Sequence, residues 1–303
     1  MKNNKRIKYI VLLFLCLNCI GICVFLSLWQ QASEDDGSAA LEALRDSIKQ
    51  FDTVSFEDTN APKTQQNETF DASDSHTTDF VETADSAADT VESQADVSTN
   101  TLDFERLWEV NPEICAWLEI AGTRIDYPVL QSKDNDKKYL TTAYDGTPYI
   151  GGALYTEATY NNNDFDDPVT VIYGHTMRSG NLFGTLQKTY SSAQSFADCS
   201  GVTLYLPGEI REYTVFAAVP YSKIHILHTF DFENEYWYNR FFKDVRSIRE
   251  FGTNINGDIA PEFGDRVIIM SVCLNYDTTR RYLVMAVNNE DLADNIRVSS
   301  ENT

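Results

Sequence analysis

The chain has 303 residues and carries 24 Lys and Arg against 46 Asp and Glu, a formal net charge of −22. That balance excludes a nucleic-acid binder, which needs a basic face, and a polybasic membrane-surface protein. Six cysteines are too few for a disulfide scaffold, while 43% hydrophobic residues suffice for a packed core.

The charge is segregated. Residues 1–30 carry +4 and no acid, residues 31–100 carry 17 acids and three bases, and residues 101–303 carry 29 acids and 17 bases. Within the first zone Tyr9 to Trp29 is a run of 21 uncharged residues. As a helix it is roughly 30 Å long, the thickness of a bilayer's hydrocarbon core. It exceeds the about 7–15 apolar residues of a cleaved signal peptide. The first zone, 1–30, is therefore expected to be a basic end and a single uncleaved membrane anchor. Lys2, Lys5, Arg6 and Lys8 place the N-terminus in the cytoplasm and all that follows outside. Cys16, Cys19 and Cys23 fall inside the span and read as small apolar fillers.

The second zone, 31–100, is rich in Asp, Glu, Ser, Thr and Ala and lacks Trp and Tyr. Such a composition predicts a disordered acidic stalk. As a flexible coil it would span roughly 45 Å. Leu41, Leu44, Ile48 and Phe51 recur at helical spacing. They suit an amphipathic helix, a weak self-association seam, or a transient helix in a linker.

The third zone, 101–303, holds three of the four Trp and fifteen of the sixteen Tyr. It is expected to open with a helix from Leu102 to Glu109, burying Leu102, Leu107 and Val110 and ended by Asn111-Pro112. Eight short apolar runs follow, separated by glycine and polar turns. They are AWLEI, TRIDYPVL, GALYT, PVTVIYGH, GVTLYLP, REYTVFAAVPY, DRVIIMSVC and RYLVMAV. Their spacing predicts a mostly β barrel or sandwich. Residues 232–251 instead place Tyr238, Phe241, Phe242, Val245 and Ile248 at helical spacing, a helix between the sixth and seventh strands.

Chemistry-bearing residues gather at strand ends. Cys273 ends the run from Val267, and His175 ends the run from Val169, each just before a loop. A thiol and an imidazole brought together are the minimum for thiol nucleophilic catalysis, and a nearby cation favours the reactive thiolate. Arg280 and Arg281 open the next strand, and alternation of faces lets only one of them enter the site. A guanidinium there suits a developing oxyanion. The competing reading of Cys273 is a buried core cysteine. Two further patterns are weaker. His225 and His228 have an HxxH spacing that suits a metal. The acidic stretch Asn161–Asp167 suits calcium or, more simply, a solvated loop. Cys115 and Cys199 are expected to be free thiols.

These residues resemble the sortases, cysteine transpeptidases of Gram-positive surfaces, and within them class B. The resemblance covers about residues 102–288. It is carried by WLEIAGTRIDYPVLQSKDNDKKYL, by GALYTEATYNN, by the histidine segment beginning VIYGHTMRSGNLFGTLQK, and by the helix at 232–251. It implies a closed eight-stranded β-barrel with an N-terminal helix and a helix inserted between strands 6 and 7. It implies Cys273 as nucleophile, His175 as general acid and Arg281 as the clamp on the substrate carbonyl. Ser271, Leu140 and Asp136 would line the substrate groove. No cofactor and no metal is implied. The partners implied are secreted proteins bearing an NPxTx-like sorting motif, cleaved at Thr–X, and a lipid-linked peptidoglycan precursor whose amine takes the acyl group. There are departures. The family's strand end reads Thr-Leu-Ser-Thr-Cys, whereas Ile269-Met270-Ser271-Val272-Cys273 stands here, and Thr176 replaces a frequent Asn. A thiol hydrolase, a pilus-polymerising sortase and a non-catalytic stalked surface domain remain as alternatives.

Overall fold

Asp103, itself outside helical geometry, marks where the first helix starts. Its side chain accepts the Arg106 N–H at 3.2 Å, capping helix α1 (Phe104–Val110). The computed structural model describes residues 22, 41, 43–46, 102–275 and 277–293. Apart from Ile22, the expected span Tyr9–Trp29 lies outside the described residues, as does the stretch 51–100. Among the described residues no helix is long and apolar enough to cross a membrane. Helix α1 begins two residues later than its apolar spacing suggests, and Val110 is exposed, whereas Leu102 and Leu107 are buried.

Among the described residues nine strands follow: β1 (Ile114–Ile120), β2 (Asp126–Ser132), β3 (Leu154–Glu157), β4 (Val169–Tyr173), β5 (Gly201–Leu206), β6 (Glu209–Tyr221), β7 (Asn254–Ile255), β8 (Val267–Leu274) and β9 (Asp277–Asn288). Their order is β5-β1-β2-β3-β4-β8-β9-β6, and β6 pairs again with β5. Eight strands therefore close into a barrel, and the two-residue β7 merely extends one side of β6. The β2–β3 and β4–β8 pairs are parallel and the rest antiparallel. All eight apolar runs read from the sequence are barrel strands.

Alternation sorts side chains between two cores. Ile172, Ile268, Met270, Val272, Leu274, Tyr282 and Val284 fill the barrel interior. Val171, Val267, Ile269, Leu283, Met285 and Val287 point outward into a second cluster. That outer cluster is covered by helix α5 (Glu235–Arg246), through Tyr238, Phe241, Phe242 and Val245. Asn234 caps α5 by accepting the Tyr236 and Trp237 N–H groups, so the helix is shorter than its apolar spacing alone suggests. It lies between the sixth and seventh barrel strands, as expected. Helices α2 (Leu186–Tyr190), α3 (Ala193–Asp198) and α4 (Ile226–Thr229) are short additions.

One element differs from expectation. Arg280 and Arg281 do not open their strand: β8 extends through Leu274 and β9 already starts at Asp277, with Leu274 paired to Asp277. The Asp277 carboxylate accepts both the Thr279 N–H and its hydroxyl, which holds these polar residues in strand register. Upstream, residues 41 and 43–46 are helical. Leu41 and Leu44 pack on the barrel's flank, and the Arg45 guanidinium lies 3.3 Å from Asp126.

Candidate active site

Register places the site before any side chain is considered. Cys273 on β8 lies opposite Arg281 on β9, which in turn lies opposite Tyr221 on β6. One step along, Tyr155, Tyr173, Ser271, Leu283 and Val219 form the neighbouring row. Cys273 shares the outward face with Ile269 and Val267, so its thiol is presented on the barrel wall rather than in its interior. It is half-buried. Arg281 Nη1 donates to Cys273 Sγ at 3.4 Å. Arg280, on the other face, makes a two-pronged bond to Glu250 at 2.8 and 2.9 Å. Alternation thus delivers one guanidinium to the sulfur and sends the other away.

His175 follows β4, which runs parallel to β8. Gly174 precedes it because a Cβ there would come within 2.6 Å of both Leu154 and Phe183. The ring's Nε2 is 3.0 Å from the Leu140 carbonyl. A carbonyl only accepts, so Nε2 carries the proton in this contact. Leu140 ends a 3-10 turn (Lys138–Leu140). Gly152, at φ +59, lets the chain pass that turn, since a Cβ would run into the Tyr139 carbonyl. Beneath the turn, Glu113 receives Lys138 Nζ at 2.7 Å, the Tyr139 hydroxyl at 2.5 Å and the Ser132 hydroxyl at 3.1 Å. Burial alone would raise the Glu113 carboxyl, but these bonds outweigh it and hold it below its usual range.

The three remaining sequence candidates separate. Ser271 is buried two residues before the thiol and on its face. Leu140 is half-buried and contributes its carbonyl to His175. Asp136 accepts the Thr159 N–H at 3.2 Å, which anchors the loop after β3. Burial first, then the Glu157 charge, raises the Tyr155 phenol, while Arg281 lowers it and Asp136 and Cys273 raise it further. Carboxylates, guanidinium and thiol therefore share one electrostatic neighbourhood.

Sequence reading missed two supports, from Thr176 and Gln187. The Thr176 hydroxyl donates to the Cys273 carbonyl at 2.9 Å, tying the histidine segment to the cysteine strand end. Its one sequence signal was the departure from Asn. Val272, the other departure, packs in the barrel interior at 1% exposure, so its missing hydroxyl does not face the groove. Gln187 Oε1, which accepts the Asn275 N–H at 2.8 Å, braces the β8–β9 turn and carried no sequence signal.

The other patterns resolve into hydrogen bonds and ion pairs within the protein. Asp167 accepts from Asn161 and Asn162, and Asp166 pairs with Arg211 at 2.9 Å. The acidic stretch is thus an internally bonded loop, and among the described residues no group of three His, Cys, Asp or Glu is placed to hold a metal. His225 bonds Glu157. Cys115 and Cys199 are buried and free; burial pushes the Cys115 thiol up to about 12.

No family model matches the chain. The chain is 31% identical over 188 residues to sortase B of Listeria monocytogenes, covering 59% of this chain and 69% of that protein. It is 27% identical over 189 residues to sortase B of Staphylococcus aureus, covering 60% of this chain and 73% of that protein. Among solved structures, Clostridium perfringens sortase B superposes with a TM-score of 0.54 at 26% identity, covering 61% of this chain and 99% of that one. A Staphylococcus aureus sortase B–substrate complex gives 0.53 at 25%, covering 61% and 83%.

Proposed function

We propose, from the premise that this chain belongs to the sortase B family and is a cysteine transpeptidase of that type, that Cys273 is its nucleophile, Arg281 its oxyanion clamp and His175 its general acid. The observation that carries this is the Arg281 guanidinium 3.4 Å from the Cys273 sulfur, on the strand next to the one His175 terminates beside. The substrate is a secreted protein bearing an NPxTx-like sorting motif, lying over Ser271 with Leu140 and Asp136 on the opposite bank.

The thiolate attacks the Thr–X carbonyl, and the oxyanion that develops is held by Arg281. The C–N bond breaks, the leaving amine takes a proton from His175, and the acyl group remains as a thioester on Cys273. An amine of a peptidoglycan precursor then attacks the thioester. The new amide forms, its proton passes to His175, and the thiolate returns. The residues 1–30 serve as a single-pass anchor with a cytoplasmic N-terminus, residues 31–100 as the acidic connection, and residues 101–303 as the extracellular catalytic domain.

The test mixes the purified chain with a fluorescent sorting peptide and a glycine-based amine. A new amide product that vanishes in Cys273→Ala supports the reading. Hydrolysis alone would reassign the chain as a thiol hydrolase, and no cleavage by any sorting peptide would overturn the reading.

A further inference from the structure

The segment that leaves β6 crosses the barrel. Tyr221 ends β6 opposite Arg281, yet His225 already touches Glu157 at the end of β3. Strands β9, β8 and β4 lie between β6 and β3 in the sheet. Residues 222–225 therefore form a strap over the outer face of the strands that carry Arg281, Cys273 and the approach to His175. Past His225 the strap descends into α4, where Ile226 is buried in the outer cluster with Val169, Val171 and Ile269.

The far end of the strap is fastened by one side-chain pair. His225 Nε2 is 2.7 Å from Glu157 Oε2, and the Glu157 side chain is only 11% exposed. His225 Nδ1 accepts the His228 N–H at 3.1 Å, so the proton on Nε2 is the one donated to Glu157. The Tyr160 ring lies 4.6 Å from the His225 ring, and Tyr173, the neighbour of Ser271, lies 6.4 Å from it. Glu157 also takes a hydrogen bond from Tyr173, so His225 is one of two side chains that hold this largely buried carboxylate, and the one that belongs to the strap.

We propose that the Glu157–His225 pair is a latch that holds the 222–230 strap as one wall of the substrate groove, making both residues positioning residues for the part of the peptide upstream of the scissile bond. The latch touches neither the sulfur nor the bond that breaks. It acts on how tightly the peptide is held, not on the chemical step. This rests on the sortase reading above.

Two substitutions of one residue separate latch from helix cap. In the full chain, His225→Gln keeps a donor at the position of Nε2 but loses the Nδ1 acceptor. His225→Asn keeps the acceptor for the His228 N–H but cannot reach Glu157. With a fluorescent sorting peptide, His225→Asn and Glu157→Ala are expected to raise KM about tenfold with kcat within about twofold, the effect of losing one hydrogen bond to a charged group. His225→Gln is expected to stay within about twofold of the parent in both. If Gln is as damaged as Asn, or if kcat falls and KM does not move, the proposal fails. Hydrogen exchange over 222–230 reads the latch without any substrate. Faster exchange in His225→Asn and Glu157→Ala, but not in His225→Gln, supports it; unchanged exchange overturns it. Failure of the parent chain to cleave any sorting peptide would overturn the sortase reading instead, leaving the exchange result to decide the latch.

Discussion

Two side chains grip the end of β8 from different elements. Arg281 approaches the Cys273 sulfur from β9, and Thr176 holds the Cys273 carbonyl from the histidine segment. Thr176→Val keeps the volume but leaves that carbonyl without its donor. We expect a loss of about 1 kcal/mol in stability and a several-fold fall in kcat, with Thr176→Ser restoring both. Melting curves and peptide cleavage on the same three proteins check this. Arg281→Ala removes a preorganised donor from the reacting carbonyl and is expected to lower kcat/KM about 10²–10³-fold. Arg280→Ala breaks the pair with Glu250 on the face away from the sulfur and should leave cleavage within about twofold. Equal losses in the two arginine variants would contradict the alternation on which the site assignment stands.

At the level of elements, the 3-10 turn that presents the Leu140 carbonyl to His175 hangs on one carboxylate. Glu113 holds Lys138, Tyr139 and Ser132, and these bonds keep its carboxyl below its ordinary range. A carboxyl depressed in the folded state contributes stability above its unfolded value, about 4.3. That contribution is lost as pH falls through the depressed folded value. Glu113→Gln should therefore flatten the acid limb of the melting profile below about pH 4.5 while costing about 1 kcal/mol or less at neutral pH, because the group is part-exposed. A parallel loss of stability in parent and variant on acidification would contradict it.

The strands were legible because alternation and glycine punctuation are local signals, and α5 was legible because Tyr238, Phe241, Phe242 and Val245 repeat at helical spacing. Helices α2 and α3, of five and six residues, are too short to show a period. The pairing of Cys273 with Arg281 was legible because side chains alternate between the faces of a hairpin. Glu113 with Tyr139, 26 residues apart, and Glu157 with His225, 68 apart, were not, because no spacing rule joins partners that only the barrel brings together.

For the whole molecule, the described body includes residues 41 and 43–46 as well as the barrel. Leu41 and Leu44 rest against the cluster that holds Trp117, and Asp126 bonds both Arg45 and the Trp117 indole N–H. A stretch that composition marks as tether thus begins with an element seated on the barrel at the β1–β2 hairpin. Stability should follow the docked element alone. Leu44→Ala in the full chain removes part-buried apolar area and is expected to cost about 1 kcal/mol. In a domain of this size that lowers the melting midpoint by about 2–4 °C. Replacing residues 53–98 by a short Gly/Ser linker should not lower the midpoint, since a shorter loop costs less closure entropy. A larger fall in the linker variant than in Leu44→Ala would mean that the acidic segment, and not the seated helix, stabilises the barrel.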